Sequence, residues 1–261
     1  MRIYPFRLSF SGSHANFSFF FEGFQREEIS CFISSRAADN IVHSEGEPPW
    51  GNFCEVLGLD PARIYRLTQV HSREVLVLDR YSPHDRPRAD GLVSRDRDIW
   101  LSVTVADCLP VYLFDTESGA FGILHSGWKG TGIVLKALAL MEERWNTRPP
   151  AVAVVLGPCI GACCYRVDEG RARIFEEEFG GPDGDYPLGP VVIRRPRNGS
   201  SPAEPFLDLR AANARLLAGA GVRNLAVCQD CTFTDERLGS FRREGKDYTR
   251  MAALIGPKLP V

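Results

Sequence analysis

The chain has 261 residues, 44% hydrophobic and 25% charged, an ordinary balance for a globular protein long enough to bury a substantial core. Its formal net charge of −2 gives no electrostatic reason to expect nucleic acid or an anionic membrane as a partner. No apolar run approaches the ~20 residues that a membrane-spanning helix needs.

Residues 1–24 are rich in phenylalanine but broken by polar residues, with no small-residue cleavage site behind an apolar block. They do not read as a signal peptide, so the expectation is a cytoplasmic protein. Its eight cysteines are then free thiols, most of them packed as small apolar residues. Gly12-Ser13 predicts the turn of an opening β-hairpin, and the alternation around Phe17, Phe19 and Phe21 predicts antiparallel strands. Residues 31–33 read as a strand ending at Ser34-Ser35-Arg36. Residues 37–53 read as a polar loop, and 53–59 as a short helix closed by Asp60-Pro61. Strand character returns at Ile64, Tyr65, Leu67 and Val70, then at Val75–Leu78. A Pro- and Arg-rich loop over 81–88 leads to a turn signal, Ala89-Asp90-Gly91, before Leu92-Val93. Trp100–Val105 reads as a strongly apolar strand.

The next stretch, residues 104–131 (TVADCLPVYLFDTESGAFGILHSGWKGT), organises the chain. It reads as a cysteine in a tight corner, an apolar strand, a turn, a second apolar strand, and a histidine where that strand ends. Cys108 and His125 thus leave opposite ends of the expected strand pair. Leu109-Pro110 cannot continue the ladder through the proline nitrogen, so Cys108 sits at a break where a side chain becomes accessible. His71 lies just past another strand, in LTQVHSREVLVL. Two imidazoles and one thiolate are ligand types that zinc favours, and three protein ligands leave a fourth position open to water or substrate. Taken alone, Cys108 also fits a nucleophile activated by a histidine, or a packed thiol.

Gly127 and Gly130 permit close approach, and a helix starting near residue 131 leaves the N–H groups of 128–132 able to face an anion. Asp90 and Asp107 are candidates to orient a ligating histidine, against the plainer reading of turn-forming aspartates. Arg242 and Arg243 suit a phosphate or carboxylate clamp. His14, His43 and His84 read as solvated loop residues. Cys228-Gln229-Asp230-Cys231 is a CxxC, and Cys159, Cys163 and Cys164 form another group. No second CxxC stands at zinc-finger spacing, so packed thiols are expected.

Residues 131–145 predict the clearest helix, with Val134, Leu138, Met141 and Trp145 on one face. A buried strand follows at 151–156. Asp168 caps a helix with Ile174, Phe175 and Phe179 on its apolar side, stopped by Gly180-Gly181. A long Gly/Pro excursion over 180–205 holds a strand near 191–193. Asp208 caps a helix over 209–218, and strands follow at 225–227 and 250–255, the last ending before Gly256-Pro257. With no repeat and no composition break, the expectation is a single α/β (mixed α+β) domain over 1–261, its mixed sheets carrying packed helices.

QVH, ADG, ADCLPV, HSGWKG, GPCIGACCY and SFRREG, in this order, resemble the laccase-domain family, also called the YfiH-like or purine nucleoside phosphorylase family. The likeness runs from about residue 63 to 255. It implies a zinc site made by His71, Cys108 and His125, and phosphorolysis of adenosine, inosine or guanosine, with adenosine deamination and methylthioadenosine cleavage in relatives. The partners implied are a small-molecule nucleoside and phosphate. Arg36 matches an arginine that the family places near its active site, and Arg243 is a second candidate for substrate. Two departures stand out: Ala37-Ala38-Asp39 replaces a Gly-Gly pair, and HSGWKG replaces HAGWRG. Other readings are copper-dependent phenol oxidation, for which five histidines are few, and a cysteine hydrolase acting in peptidoglycan precursor editing, with Cys108 as nucleophile. A non-enzymatic structural metal-binding protein is the fourth.

Overall fold

The computed structural model describes residues 1–17, 20–21, 24–25, 29–41, 48–78, 86–181, 187–196 and 203–258. Phe19, His43 and His84, and most of the loop over 81–88, lie outside these residues.

The strands begin with β1 (Arg2–Phe6), β2 (Phe10–Ser11), β3 (His14–Phe17), β4 (Phe20–Phe21), β5 (Phe24–Gln25) and β6 (Ile29–Ser34). Helix α1 (Pro48–Leu57) follows, then β7 (Ile64–Tyr65), β8 (Val75–Leu78), β9 (Gly91–Ser94), β10 (Trp100–Val105), β11 (Leu109–Asp115) and β12 (Phe121–Ser126). Next come α2 (Ile133–Trp145), β13 (Val152–Leu156), α3 (Glu169–Phe179), β14 (Val192–Arg195), β15 (Glu204–Leu207) and α4 (Leu209–Gly219). The described chain closes with β16 (Asn224–Cys228), α5 (Phe241–Glu244) and β17 (Met251–Pro257).

Two mixed sheets carry the fold, a seven-stranded one in the order β1-β16-β13-β11-β12-β9-β8 and a six-stranded one in the order β2-β3-β6-β17-β10-β7. Strand periodicity explains how they stack, because alternate side chains leave opposite faces. In β11, Leu109, Val111 and Leu113 join the cluster under α2, α3 and α4, while Tyr112 and Phe114 join the cluster between the sheets. In β17, Met251, Ala253 and Ile255 face that same intersheet core, while Ala252 and Leu254 pack with Trp50, Phe53 and Leu57 of α1. Both sheets are covered on both faces, which is why their strands read as nearly continuous apolar runs.

Several expectations are corrected. β1 does not belong to the opening hairpin; it pairs in parallel with β16 in the other sheet, and the hairpin about Gly12-Ser13 is made by β2 and β3. α1 starts at Pro48 rather than residue 53, since proline suits the first turn of a helix, where its missing N–H has no partner to lose. Leu67 and Val70 lie outside any strand, because β7 is only two residues long. β17 continues through Gly256 and Pro257, which pair with Ser30 and Ile29 of β6. Ile174 points to solvent, and Ala172 joins Phe175 and Phe179 in the core instead. His14 is half-buried and edge-on to Phe32 at 5.8 Å, and burial lowers its imidazole pKa.

Candidate metal centre

Four neighbouring strands of the seven-stranded sheet bring their ends together. Leu109 at the start of β11 lies opposite Ser126 at the end of β12; Leu124 lies opposite Gly91 at the start of β9; Gly91 lies opposite Val75 at the start of β8. Cys108 and His125 therefore share one end of their strand pair, and the expectation of opposite ends is corrected by the antiparallel register. Pro110 is no break either: it sits within β11 opposite His125, and its carbonyl accepts the N–H of Gly157. The corner lies one residue earlier than Cys108, at Asp107, whose φ is 86°.

At this end the ligand atoms of His71, Cys108 and His125 all lie within 4.8 Å of one another. The two imidazole rings meet edge-on, their centroids 4.8 Å apart. His125 is buried, Cys108 half-buried and His71 exposed, so the centre has a closed side and an open one.

Asp90, fully buried, braces the two histidines. Its Oδ1 accepts the His71 N–H at 3.0 Å and stands 2.8 Å from His125 Nδ1. Its Oδ2 accepts from Ser72 N at 2.6 Å, Ser72 Oγ at 2.8 Å and Val70 N at 3.2 Å. Consecutive N–H groups converging on one carboxylate wrap the chain around it. That wrap holds His71 at φ 58°, a left-handed conformation costing a non-glycine residue on the order of 1 kcal/mol. Because His125 Nδ1 is engaged by Asp90, its Nε2 is the nitrogen offered to the centre.

The electrostatics follow from these contacts. Burial would raise the Asp90 pKa, but hydrogen bonds with His125 and Ser72 hold it down at about 2. Burial would likewise raise the Cys108 thiol, yet the charge and hydrogen bonds of His125, with those of His71, bring it down to about 6. For His125, burial works downward, and the Cys108 charge with the Asp90 hydrogen bond lifts it to about 9. The thiol and the imidazole are thus set up as a thiolate–imidazolium pair.

Asp107 does not touch either histidine. Its Oδ1 accepts from Thr232 Oγ1 at 2.6 Å and its Oδ2 from the Arg242 N–H at 2.7 Å, while its carbonyl accepts from Ile160 N at 3.0 Å. It pins the corner that presents Cys108. Gly127 leaves room for the thiol: a Cβ there would lie 2.8 Å from Cys108 Sγ and 3.7 Å from His71 Cδ2. The turn closes through Thr131 Oγ1, which donates to the Gly127 carbonyl at 2.8 Å, and α2 begins at Ile133, two residues later than expected.

Aromatic rings and guanidinium groups flank the thiol. Arg171 lies over the Trp128 ring at 4.5 Å and Arg242 over the Tyr165 ring at 5.3 Å. Burial raises the Tyr165 hydroxyl pKa, the negative charge of Cys108 adds to that, and Arg171 and Arg242 oppose it. Sequence reasoning missed Tyr165 and Arg171. Tyr165 ends the GPCIGACCY motif and was within reach, whereas Arg171 carries no local signal and arrives only because α3 packs beside the turn. Arg243 is placed differently from a substrate clamp: its guanidinium donates to the carbonyls of Thr232, Phe233, Asp235 and Leu238 and so ties down the loop before α5. Arg36 donates to the Glu236 carbonyl on that same loop at 3.2 Å and lies 3.7 Å from Glu244 at the end of α5.

A family model described as multi-copper polyphenol oxidoreductase laccase matches residues 49–258. A purine nucleoside phosphorylase of Corynebacterium glutamicum is 34% identical over 236 residues, covering 86% of this chain and 89% of its own. Adenosine deaminase RL5, from an unknown prokaryotic organism, is 31% identical over 211 residues, covering 74% of this chain and 76% of its own. The crystal structure of YlmD from Geobacillus stearothermophilus superposes with a TM-score of 0.76 at 25% identity, covering 89% of this chain and 93% of that one.

Proposed function

This chain belongs to the laccase-domain family, and from that premise we propose that it is a zinc-dependent purine nucleoside phosphorylase acting on adenosine, inosine, guanosine and methylthioadenosine, with adenosine deaminase activity at the same centre. The observation that carries the reading is the meeting of His71, Cys108 and His125 within 4.8 Å. The purine comes from the relatives' activities.

The donor set suits zinc: one thiolate and two imidazoles, a carboxylate fixing one imidazole tautomer, and an open side at His71. His71, Cys108 and His125 would hold the ion, which supplies Lewis acidity when bound. The protein's own groups do the rest. Asp90 keeps His125 Nε2 directed inward. Gly127 keeps the thiolate clear of steric pressure. Trp128 and Tyr165 offer flat apolar faces of the kind a purine stacks on, and Arg171 and Arg242 offer positive charge to phosphate. In phosphorolysis a phosphate oxygen bonds to C1′ of the sugar as the C1′–N9 bond breaks, its electron pair leaves with the purine, and the purine takes up a proton.

The test is incubation of metal-loaded protein with inosine and phosphate, followed by chromatography. Hypoxanthine and ribose 1-phosphate are expected, and no product would overturn the reading. A second reading has one observation in its favour: a Cys108 thiol near 6 beside an imidazole near 9 is also what a nucleophilic cysteine hydrolase requires. Metal analysis of Cys108→Ala separates the two. Loss of activity together with one equivalent of metal supports the ligand role, while loss of activity with the parent's zinc content unchanged supports the nucleophile. The same analysis on the parent protein distinguishes zinc from copper. No helix of the described residues is long and apolar enough to cross a membrane. The free cysteines support a place in the reducing cytoplasm.

A further inference from the structure

We propose that Cys163, Cys164 and Cys231 form a second metal site, distinct from the His71–Cys108–His125 centre, that takes Zn2+ through three thiolates. Their Sγ atoms all lie within 4.8 Å of one another. A tetrahedral zinc with Zn–S bonds of about 2.3 Å sets its sulfurs roughly 3.8 Å apart, so a small inward rotation of the side chains closes the site. The expectation of packed thiols holds for Cys159, Cys228 and Cys231, which are buried, and fails for the other two: Cys163 is exposed and Cys164 half-buried.

The backbone builds this convergence. The backbones of Cys231 and Cys159 pair in parallel at an isolated β-ladder position, both thiols being free, and the Gly161 N–H donates to Cys231 Sγ at 3.2 Å. The turn carrying Cys163 and Cys164 closes on the same residue, with Cys164 N and Tyr165 N donating to the Gly161 carbonyl at 2.9 and 3.0 Å. A side chain at residue 161 would crowd the site, since its Cβ would stand 3.1 Å from Cys163 Sγ and 3.5 Å from Cys231 Cβ. The CxxC does not act as a pair. Cys228 faces the core between the sheets, with its Sγ 3.5 Å from Asp230 Oδ2, and stands apart from the cluster.

Charge favours a divalent ion. Three thiolates and Zn2+ leave one negative charge, and the buried Arg210 guanidinium lies alongside. Its Nη1 is 3.5 Å from the position a Gly161 Cβ would take, and its Nε has no hydrogen-bond partner among the described residues. Metal has a route in, because a groove of about 470 Å³ is lined by two of the three cysteines, Cys163 and Cys231, with Arg7, Asp230, Thr234 and Asp235 among others. That groove also has room for a fourth ligand.

The test counts zinc on reduced, full-length protein after loading and exhaustive dialysis. Two equivalents are expected for the parent protein, one for C163S/C164S and one for C108A. Co2+-loaded C108A, which retains only this site, should show thiolate-to-cobalt charge-transfer absorption that C108A/C163S/C164S lacks. The proposal is overturned if C108A binds no metal, if the second equivalent survives C163S/C164S, or if the cysteines form a disulfide in reductant instead of binding Zn2+. Failure of the catalytic reading would lower the parent's count but leave one equivalent on C108A, so the two ideas fail separately.

Discussion

The two sulfur-bearing clusters of this protein are braced in opposite ways. At the His71–Cys108–His125 centre the brace is a buried carboxylate, Asp90, which orients the His125 imidazole, makes it more basic and holds the backbone at His71. At Cys163–Cys164–Cys231 it is backbone N–H groups with a guanidinium nearby: burial would raise the Cys231 thiol pKa but hydrogen bonds from the Gly161, Thr234 and Phe233 N–H groups bring it down, while burial raises those of Cys163 and Cys164. The first cluster is closed on one side and mixed in ligand type. The second faces a groove and is all sulfur. The brace, more than the ligand list, sets the chemistry: a carboxylate-held imidazole can orient and exchange protons, whereas an amide-held thiolate mainly holds a cation.

The largest expected effect tests the first cluster alone. Cys108→Ala should abolish its metal binding and reduce phosphorolysis by more than the ~10–100-fold typical of outer partners. Asp90→Asn should come next, weakening zinc affinity about 10–100-fold in chelator competition, because the carboxylate no longer fixes His125. The parent's zinc affinity in that variant would show that Asp90 only shapes the loop. Gly127→Ala should follow, since its Cβ meets Cys108 Sγ at 2.8 Å; overpacking of this kind costs about 1–3 kcal/mol, to be read from thermal unfolding and zinc affinity.

The pH dependence of metal-free protein sharpens the contrast further. The Cys108 pKa is lowered to about 6 and that of His125 raised to about 9. A lowered thiol pKa stabilises the fold at high pH and loses that contribution as pH falls through about 6. A raised imidazole pKa stabilises it at low pH and loses that contribution as pH rises through about 9. The pair therefore contributes between those limits, and alkylation of Cys108 should stay fast down to about pH 6, then fall. A fall already near pH 8 would refute the ion pair. The smallest effect belongs to Gly161→Ala, whose Cβ at 3.1 Å meets the exposed, movable Cys163 sulfur. It should weaken the second zinc equivalent only a few-fold, less than Gly127→Ala weakens the first.

Much of this was legible along the chain because it is local. The continuous apolar runs of β10, β11 and β12 marked strands, and Asp168 and Asp208 marked helix starts, each accepting an N–H three residues on. The choice of His71, Cys108 and His125 rested on motif order and ligand type. Asp90 was legible as a candidate to orient a ligating histidine but not separable from a turn residue or from Asp107, because the burial that makes it a brace depends on β8, β9 and β12 meeting. The placement of β1 against β16, some 220 residues away, had no local signal at all.

What the sequence determined by itself was the identity of strands and helices and the set of side chains able to bind metal, since backbone preference and ligand chemistry belong to residues. Only the tertiary structure decided which of those side chains meet. Antiparallel register put Cys108 and His125 at one end rather than two. The Gly161 turn drew Cys163 and Cys164 to Cys231 while Cys228, three residues before, turned into the core. Such distances are set by strand pairing and by close approach at glycines, which are properties of the packed chain.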